Sequence, residues 1–279
     1  MEPALQLLAE AERTGICRKN SREHVILVTL VVQILCQHQH PARAERLLLE
    51  SLSHPDVTAY TSLMQGWVNY YYQQPPSQET QQETNISALH AALRIWKHMQ
   101  QADPVVTPSA QTYTILLKAA SRVDGAWAER ILRHMPTSVR SVIHTNTVLD
   151  GYARSNDAAG AERLWESLDE APDIVTYNII LRAAHGRVGL RVLQALRDDP
   201  TVTPTPATFQ ALFKFVRRRL GSSSSSEKQW ERLDEIVRWC SALDCWNERV
   251  IQQLRRCQLT DDQQESLRDV LPDAWWKGV

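Results

Sequence analysis

PDIVTYNIILRAA, residues 172–184, sets a Pro-Asp turn before an aromatic-Asn pair that opens an apolar run. The same phrase recurs. Tyr113, Thr145, Tyr177 and Phe209 follow one another at intervals of 32 residues, and Val28 and Tyr60 stand 32 apart as well. The single irregular step, Tyr60 to Tyr113, is 53 residues long, an excess of 21 over the period. Each anchor is followed by apolar residues at +3, +4 and +7: Val31, Val32, Leu35; Leu63, Met64, Trp67; Leu116, Leu117, Ala120; Val148, Leu149, Tyr152; Ile180, Leu181, Ala184; Leu212, Phe213, Val216. That spacing places the three on one face of an α-helix.

A second phrase alternates with the first, a small residue with apolar partners at the same offsets. It reads Ala44 with Leu47 and Leu48, Ala92 with Ile95, Trp96 and Met99, Ala128 with Ile131, Leu132 and Met135, and Ala161 with Leu164, Trp165 and Leu168. Gly189 with Val192, Leu193 and Leu196 is a shifted copy, and Leu233, Ile236, Val237 and Cys240 a degraded one. A small residue at that point lets two helices approach closely. The unit is therefore helix, turn, helix. Its period predicts an all-α, right-handed α-solenoid of helix-turn-helix repeats rather than one globular core.

The expected organisation is a partial repeat or capping helix over 1–24, six helix pairs over 25–245, and capping helices over 246–279. The pairs fall at about 25–56, 57–109, 110–141, 142–173, 174–205 and 206–245. Polar inserts near 70–87 and 221–228 are expected as surface loops that do not pack. The opening MEPALQLLAEAERTG keeps the second-helix phrase through Ala4, Leu7, Leu8 and Ala11 and shows neither a secretory signal nor an Arg-rich transit peptide. Two readings stay open there: a leader and first helix absent from this sequence, or a lone helix capping the stack. At the other end, Trp246, Trp275 and Trp276 either close the stack or offer a protein partner a surface.

Composition limits the function classes. Lys+Arg 31 against Asp+Glu 32 leaves the chain nearly neutral, so any nucleic-acid surface is local. Five cysteines without a CxxC pair suit a reducing compartment better than a disulfide framework. The run VILVTLVVQILC, residues 25–36, is too short to span a bilayer, and no membrane association is expected. CQHQH at 36–40 brings Cys36, His38 and His40 together, but in register they end a helix and form its turn, so no metal site is assigned. No deaminase, P-loop or nucleophile-elbow motif occurs, which leaves a binding module without cofactor or enzymatic activity.

Five stretches carry a family resemblance: PDVTAYTSLMQGW from 55, PSAQTYTILLKAA from 108, IHTNTVLDGYARSNDAAGAERLWESL from 143, PDIVTYNIILRAA from 172 and PTPATFQALFKF from 204. Over roughly residues 25–240 the chain resembles the pentatricopeptide-repeat family, although 32 residues is shorter than that family's usual unit. The trimming falls in the loop after the second helix. Tetratricopeptide repeats share the small alanine but place a Gly or Ala at +4, where this chain has Val32, Met64, Leu117, Leu149, Leu181 and Phe213.

The resemblance implies sequence-selective binding of single-stranded RNA, roughly one base per unit, in organellar RNA processing, stability or translation. The organelle it implies is a mitochondrion or plastid. It also assigns residues. Fifth and closing positions read the base edge: Thr29 with Asp56, Thr61 with Ser109, Thr114 with Ser141, Asn146 with Asp173, and Asn178 with Thr205; Gln210 is the sixth fifth-position residue. By the family's pairing rule Asn with Asp favours uracil and Thr with Asp favours guanine. Second-position Ile26, Ile143 and Val175 stack on the bases. The competing account of the polar positions is that Thr and Asn satisfy free N–H groups in a helix's first turn. Arg122, Arg154 and Arg218, with Arg187 one residue off register, form a ridge for phosphates or else place cations at helix ends. The alternative function is a helical-repeat scaffold for protein partners.

Overall fold

The computed structural model describes residues 2–15, 18–19, 21–73, 81–168, 170–183, 186–220 and 226–276. Among them the chain is helical, without a strand. Helix α1 spans Glu2–Arg13. Six pairs follow: α2 Arg22–Gln37 and α3 Pro41–Ser51; α4 Val57–Gln73 and α5 Gln81–Gln101; α6 Ala110–Val123 and α7 Gly125–His134; α8 Val142–Arg154 and α9 Ala158–Glu166; α10 Ile174–Ala183 and α11 Gly186–Asp198; α12 Pro206–Leu220 and α13 Ser226–Ala242. Helices α14 Glu248–Arg255, α15 Asp261–Ser266 and α16 Asp273–Trp276 close the chain. Five first helices start at 57, 110, 142, 174 and 206, while α2 starts at Arg22, three residues before the expected boundary. The reason is local: Ser21 caps α2 by accepting from the His24 N–H at 3.2 Å.

The molecule divides into two units, Met1–Gly151 and Tyr152–Val279. In the first, α4 packs against its own partner α5 and against the first helices α2 and α6 on either side. In the second, α12 packs against α13, α10 and α14, so α14 takes the place that a further first helix would occupy. Each unit is thus a stack of helix hairpins, the α-solenoid arrangement that the period predicts.

The buried face is the one the register count picks out. All six anchors are buried, and the +4 residues Val32, Met64, Leu117, Leu149, Leu181 and Phe213 are each 0% exposed. Ala44, Ala92, Ala128 and Ala161 are buried beneath the second helices. Glycine allows a close approach between first helices at two seams. A Cβ on Gly66 would lie 2.2 Å from the Cys36 Sγ, and one on Gly151 would lie 2.9 Å from the Ser121 Cβ. Both are tenth residues of their repeats facing the twelfth residue of the repeat before, so one device operates at two seams.

Three expectations change. The polar stretch 70–87 is not a loop over most of its length, because α4 continues to Gln73 and α5 begins at Gln81; residues 74–80 lie outside the described residues. Asn85 is buried and donates from Nδ2 to the Arg122 carbonyl at 2.9 Å, so this extension packs against the next repeat. Asn85→Ala is accordingly expected to cost ~1–3 kcal/mol by stripping a carbonyl of its partner, read from a denaturant melt. Residues 221–225 also lie outside the described residues, and α13 begins at Ser226. At the start of the chain Leu8 is buried as the phrase requires, but Leu7 is exposed, so α1 covers α2 with a narrower stripe than expected.

The carboxy-terminal tryptophans divide. Trp275 is buried, with the Arg255 guanidinium 5.6 Å over its ring and donating to its carbonyl at 2.7 Å, while Trp276 is 40% exposed. Among the described residues no helix is long and apolar enough to cross a membrane.

Candidate nucleic-acid interface

The second residue of each repeat lies two positions before its anchor and off the +3/+4/+7 face; it is in the first turn of α8 and α10 and, because α2 starts at Arg22, in the second turn of α2. There Ile26, Ile143 and Val175 are 51%, 61% and 49% exposed. Aliphatic side chains this open to water recur at one register and are not needed for the core.

Beside them sit the fifth and closing residues. Ser109 caps α6 in a reciprocal box: its Oγ accepts from the Thr112 N–H at 3.2 Å, and the Thr112 Oγ1 accepts from the Ser109 N–H at 3.2 Å. Thr112 Oγ1 also lies 2.8 Å from Thr61 Oγ1, so one side chain links the fifth and closing residues of the second repeat. His144 does the same for the third. Its Nδ1 accepts from the Ser141 N–H at 3.1 Å, and its Nε2 lies 3.1 Å from Thr114 Oγ1. The structure thus brings Thr61 to Ser109 and Thr114 to Ser141, each through the third residue of the next repeat.

The remaining pairs differ. Asp173 Oδ1 accepts from the N–H and the hydroxyl of Thr176, both at 2.8 Å, whereas the Thr205 N–H donates to Thr208 Oγ1 at 3.0 Å and the two hydroxyl oxygens lie 3.2 Å apart. In the first repeat the bridging position is Ala59, whose N–H donates to Asp56 Oδ1 at 2.8 Å. Thr29 turns its hydroxyl back to the Val25 carbonyl at 2.7 Å, as Thr114 does to the Ala110 carbonyl at 2.8 Å. Asn146 is buried and partnered. Asn178 is half-buried, and its Oδ1 is sealed from solvent with no protein hydrogen bond. A buried acceptor left unpaired is costly and calls for an explanation.

These third-position residues are the ones sequence reasoning missed. The signal was available: Thr112, His144, Thr176 and Thr208 each precede an anchor and recur every 32 residues. They read as ordinary first-turn polar residues because their partners lie on a neighbouring repeat.

The arginines divide as well. Arg122 is exposed, with its guanidinium 3.9 Å over the Tyr72 ring, and Arg154 is exposed at the end of α8. Arg218 donates to the carbonyls of Arg182 at 2.9 Å and Leu181 at 3.0 Å, so it caps the last turn of α10, the helix-end role. The side chain of Arg187 lies outside what the structure describes.

Among the described residues the thiols are buried and show no chemistry. Burial pushes Cys36 and Cys240 up to about 12 and Cys257 up to about 11, so at neutral pH they are protonated and poor ligands or nucleophiles. Among the described residues no cluster of His, Cys, Asp or Glu could hold a metal ion.

No protein-family model and no curated protein matches the chain. Among solved structures it is similar to the pentatricopeptide repeat protein PPR10 from maize, at 17% identity and a TM-score of 0.49, over 96% of this chain and 42% of that one. It is also similar to PPR10 in complex with an 18-nt psaJ RNA element, at 16% identity and a TM-score of 0.42, over 99% of this chain and 43% of that one. The chain therefore spans less than half the length of the pentatricopeptide repeat structures it is similar to.

Proposed function

We propose that this chain is a pentatricopeptide-type repeat protein that binds single-stranded RNA sequence-selectively, one base per unit, in organellar RNA processing, stability or translation. The observation that carries the reading is the exposure of Ile26, Ile143 and Val175, each three residues before a fifth-position polar residue, Thr29, Asn146 and Asn178. Apolar surface held beside hydrogen-bonding groups at a fixed repeat suits a base, which needs a stacking surface for its face and donors or acceptors for its edge. Arg122 and Arg154 supply positive charge 32 residues apart. The organellar setting rests on the resemblance of the repeat text alone. A protein-binding scaffold is the competing reading, favoured by an apolar groove of about 260 Å³ lined by Leu93, Trp96, Tyr113 and Trp127.

The deciding experiment is filter binding against a pool of single-stranded RNA over a salt series. Binding is expected, and Arg122→Gln with Arg154→Gln should weaken it for every sequence and flatten the salt slope by roughly 0.7 for each phosphate no longer neutralised. No retention of RNA at low salt would sink the reading in favour of the scaffold. Arg218→Gln is expected to act mainly on stability, since its guanidinium is committed to α10.

A further inference from the structure

Hydroxyls are ambiguous readers, since Thr and Ser can donate or accept. In the second repeat that ambiguity persists. Thr112 Oγ1 lies 3.0 Å from Ser109 Oγ and 2.8 Å from Thr61 Oγ1, and its one hydrogen can go to either. The third repeat is different because a ring with two distinct nitrogens stands where Thr112 does.

His144 is 3% exposed, and all its polar contacts are made within the protein. The Ser141 backbone N–H points at Nδ1 from 3.1 Å and can only donate, so Nδ1 carries a lone pair. In the neutral ring the hydrogen is then on Nε2, which faces the Ala110 carbonyl at 3.1 Å and Thr114 Oγ1 at 3.1 Å. Thr114 Oγ1 in turn donates its own hydrogen to the Ala110 carbonyl at 2.8 Å. Ser141 Oγ lies 2.9 Å from Nδ1, so its hydrogen shares that one lone pair with the backbone N–H. Both hydroxyl hydrogens of the pair are therefore spent on the protein, and what Thr114 and Ser141 present outward is lone pairs. Both residues are partly exposed.

The geometry points to His144 as the specificity-determining residue of the third unit: by fixing Thr114 and Ser141 as a pair of acceptors, it selects guanine, whose Watson–Crick edge offers adjacent N1–H and N2–H donors. This rests on the RNA-reading function proposed above. Adenine, cytosine and uracil each set at least one acceptor against the pair. The second unit, with the same Thr and Ser types but Thr112 as the bridge, discriminates less.

The test is selection from a randomised single-stranded RNA pool with the full chain, its His144→Thr variant and its Thr114→Asn variant. Thr114→Asn identifies the nucleotide read by the third unit, because only that position's frequencies should change. The wild type is expected to enrich guanine there on the order of tenfold, the value of one well-matched hydrogen bond. His144→Thr installs the residue found at 112, 176 and 208, so the chain should fold and bind while the guanine enrichment falls to about twofold or less. Enrichment of another base by the wild type, or guanine enrichment retained by His144→Thr, overturns the inference while leaving RNA reading intact. Absence of selection at every position overturns the RNA reading and this inference with it. Independently of any variant, nitrogen NMR of the wild-type imidazole should show hydrogen on Nε2; hydrogen on Nδ1 overturns the assignment.

Discussion

Leu149→Ala is expected to lower the free energy of unfolding by ~2–5 kcal/mol, while Ile143→Ala, six residues earlier on the same helix, should change it by less than ~0.5 kcal/mol. The two are aliphatic, of equal size and on α8, and helix propensity separates them by only about a few tenths of a kcal/mol. Their surroundings do. Leu149 is 0% exposed in the register that buries Val32, Met64, Leu117, Leu181 and Phe213 equally, whereas Ile143 is 61% exposed. Truncating Leu149 removes buried methyls and leaves a cavity that close-packed neighbours refill only in part. Truncating Ile143 removes surface that water already reaches. The measurement is the denaturant midpoint of both variants, with the slope of the transition checked for constancy. Equal midpoint shifts would mean that the two faces of α8 are not distinguished as described, and the second-position side chain could no longer be called spare surface.

The repeat was legible because burial in a helix stack is a periodic constraint. The +4 position must be large to fill the seam, and the small alanine must be small to let helices meet, so both show in a single sequence. The second-position residues came from the family resemblance rather than from the period, and lying out of phase with the core they are exposed. Stretch 70–87 misled because its signals compete. Pro75 and Pro76 argue for a break, yet the surrounding Gln and Glu are good helix formers, and local composition does not say how far each helix runs. What anchors α5 there is the Asn85 bond to the Arg122 carbonyl, a contact between residues 37 apart. The bridges through Thr112 and His144, and the cap that Arg218 makes on α10, were hidden for a related reason. Each joins two repeats, and spacing within one repeat cannot say which neighbour a hydroxyl or guanidinium will meet. Arg218 shares its register with Arg122 and Arg154, and only the carbonyls of Leu181 and Arg182 beside it set it apart.

Asn178→Ala is expected to separate folding from reading more sharply than any other single change. A polar side chain kept for stability should be satisfied by the protein, as Asp173 is by Thr176. Asn178 is not: its Oδ1 is shut off from water and accepts no protein hydrogen bond. Removing it therefore relieves an unmet desolvation cost, and the stability of the chain should stay within ~0.5 kcal/mol of wild type or rise. If the Asn178 amide turns out to a base edge when RNA binds, affinity for selected RNA should fall by ~1–3 kcal/mol, roughly fivefold to 150-fold, with the loss confined to sequences carrying the base that matches the fifth unit. Thermal melts and equilibrium binding on the same preparations decide between the roles. A melting temperature several degrees lower with RNA binding unchanged would make Asn178 a first-turn structural residue after all. An unchanged melt with unchanged affinity would show that nothing in the bound RNA reaches Oδ1. Only stability held and affinity reduced fits a residue that the fold leaves unsatisfied so that the ligand can satisfy it.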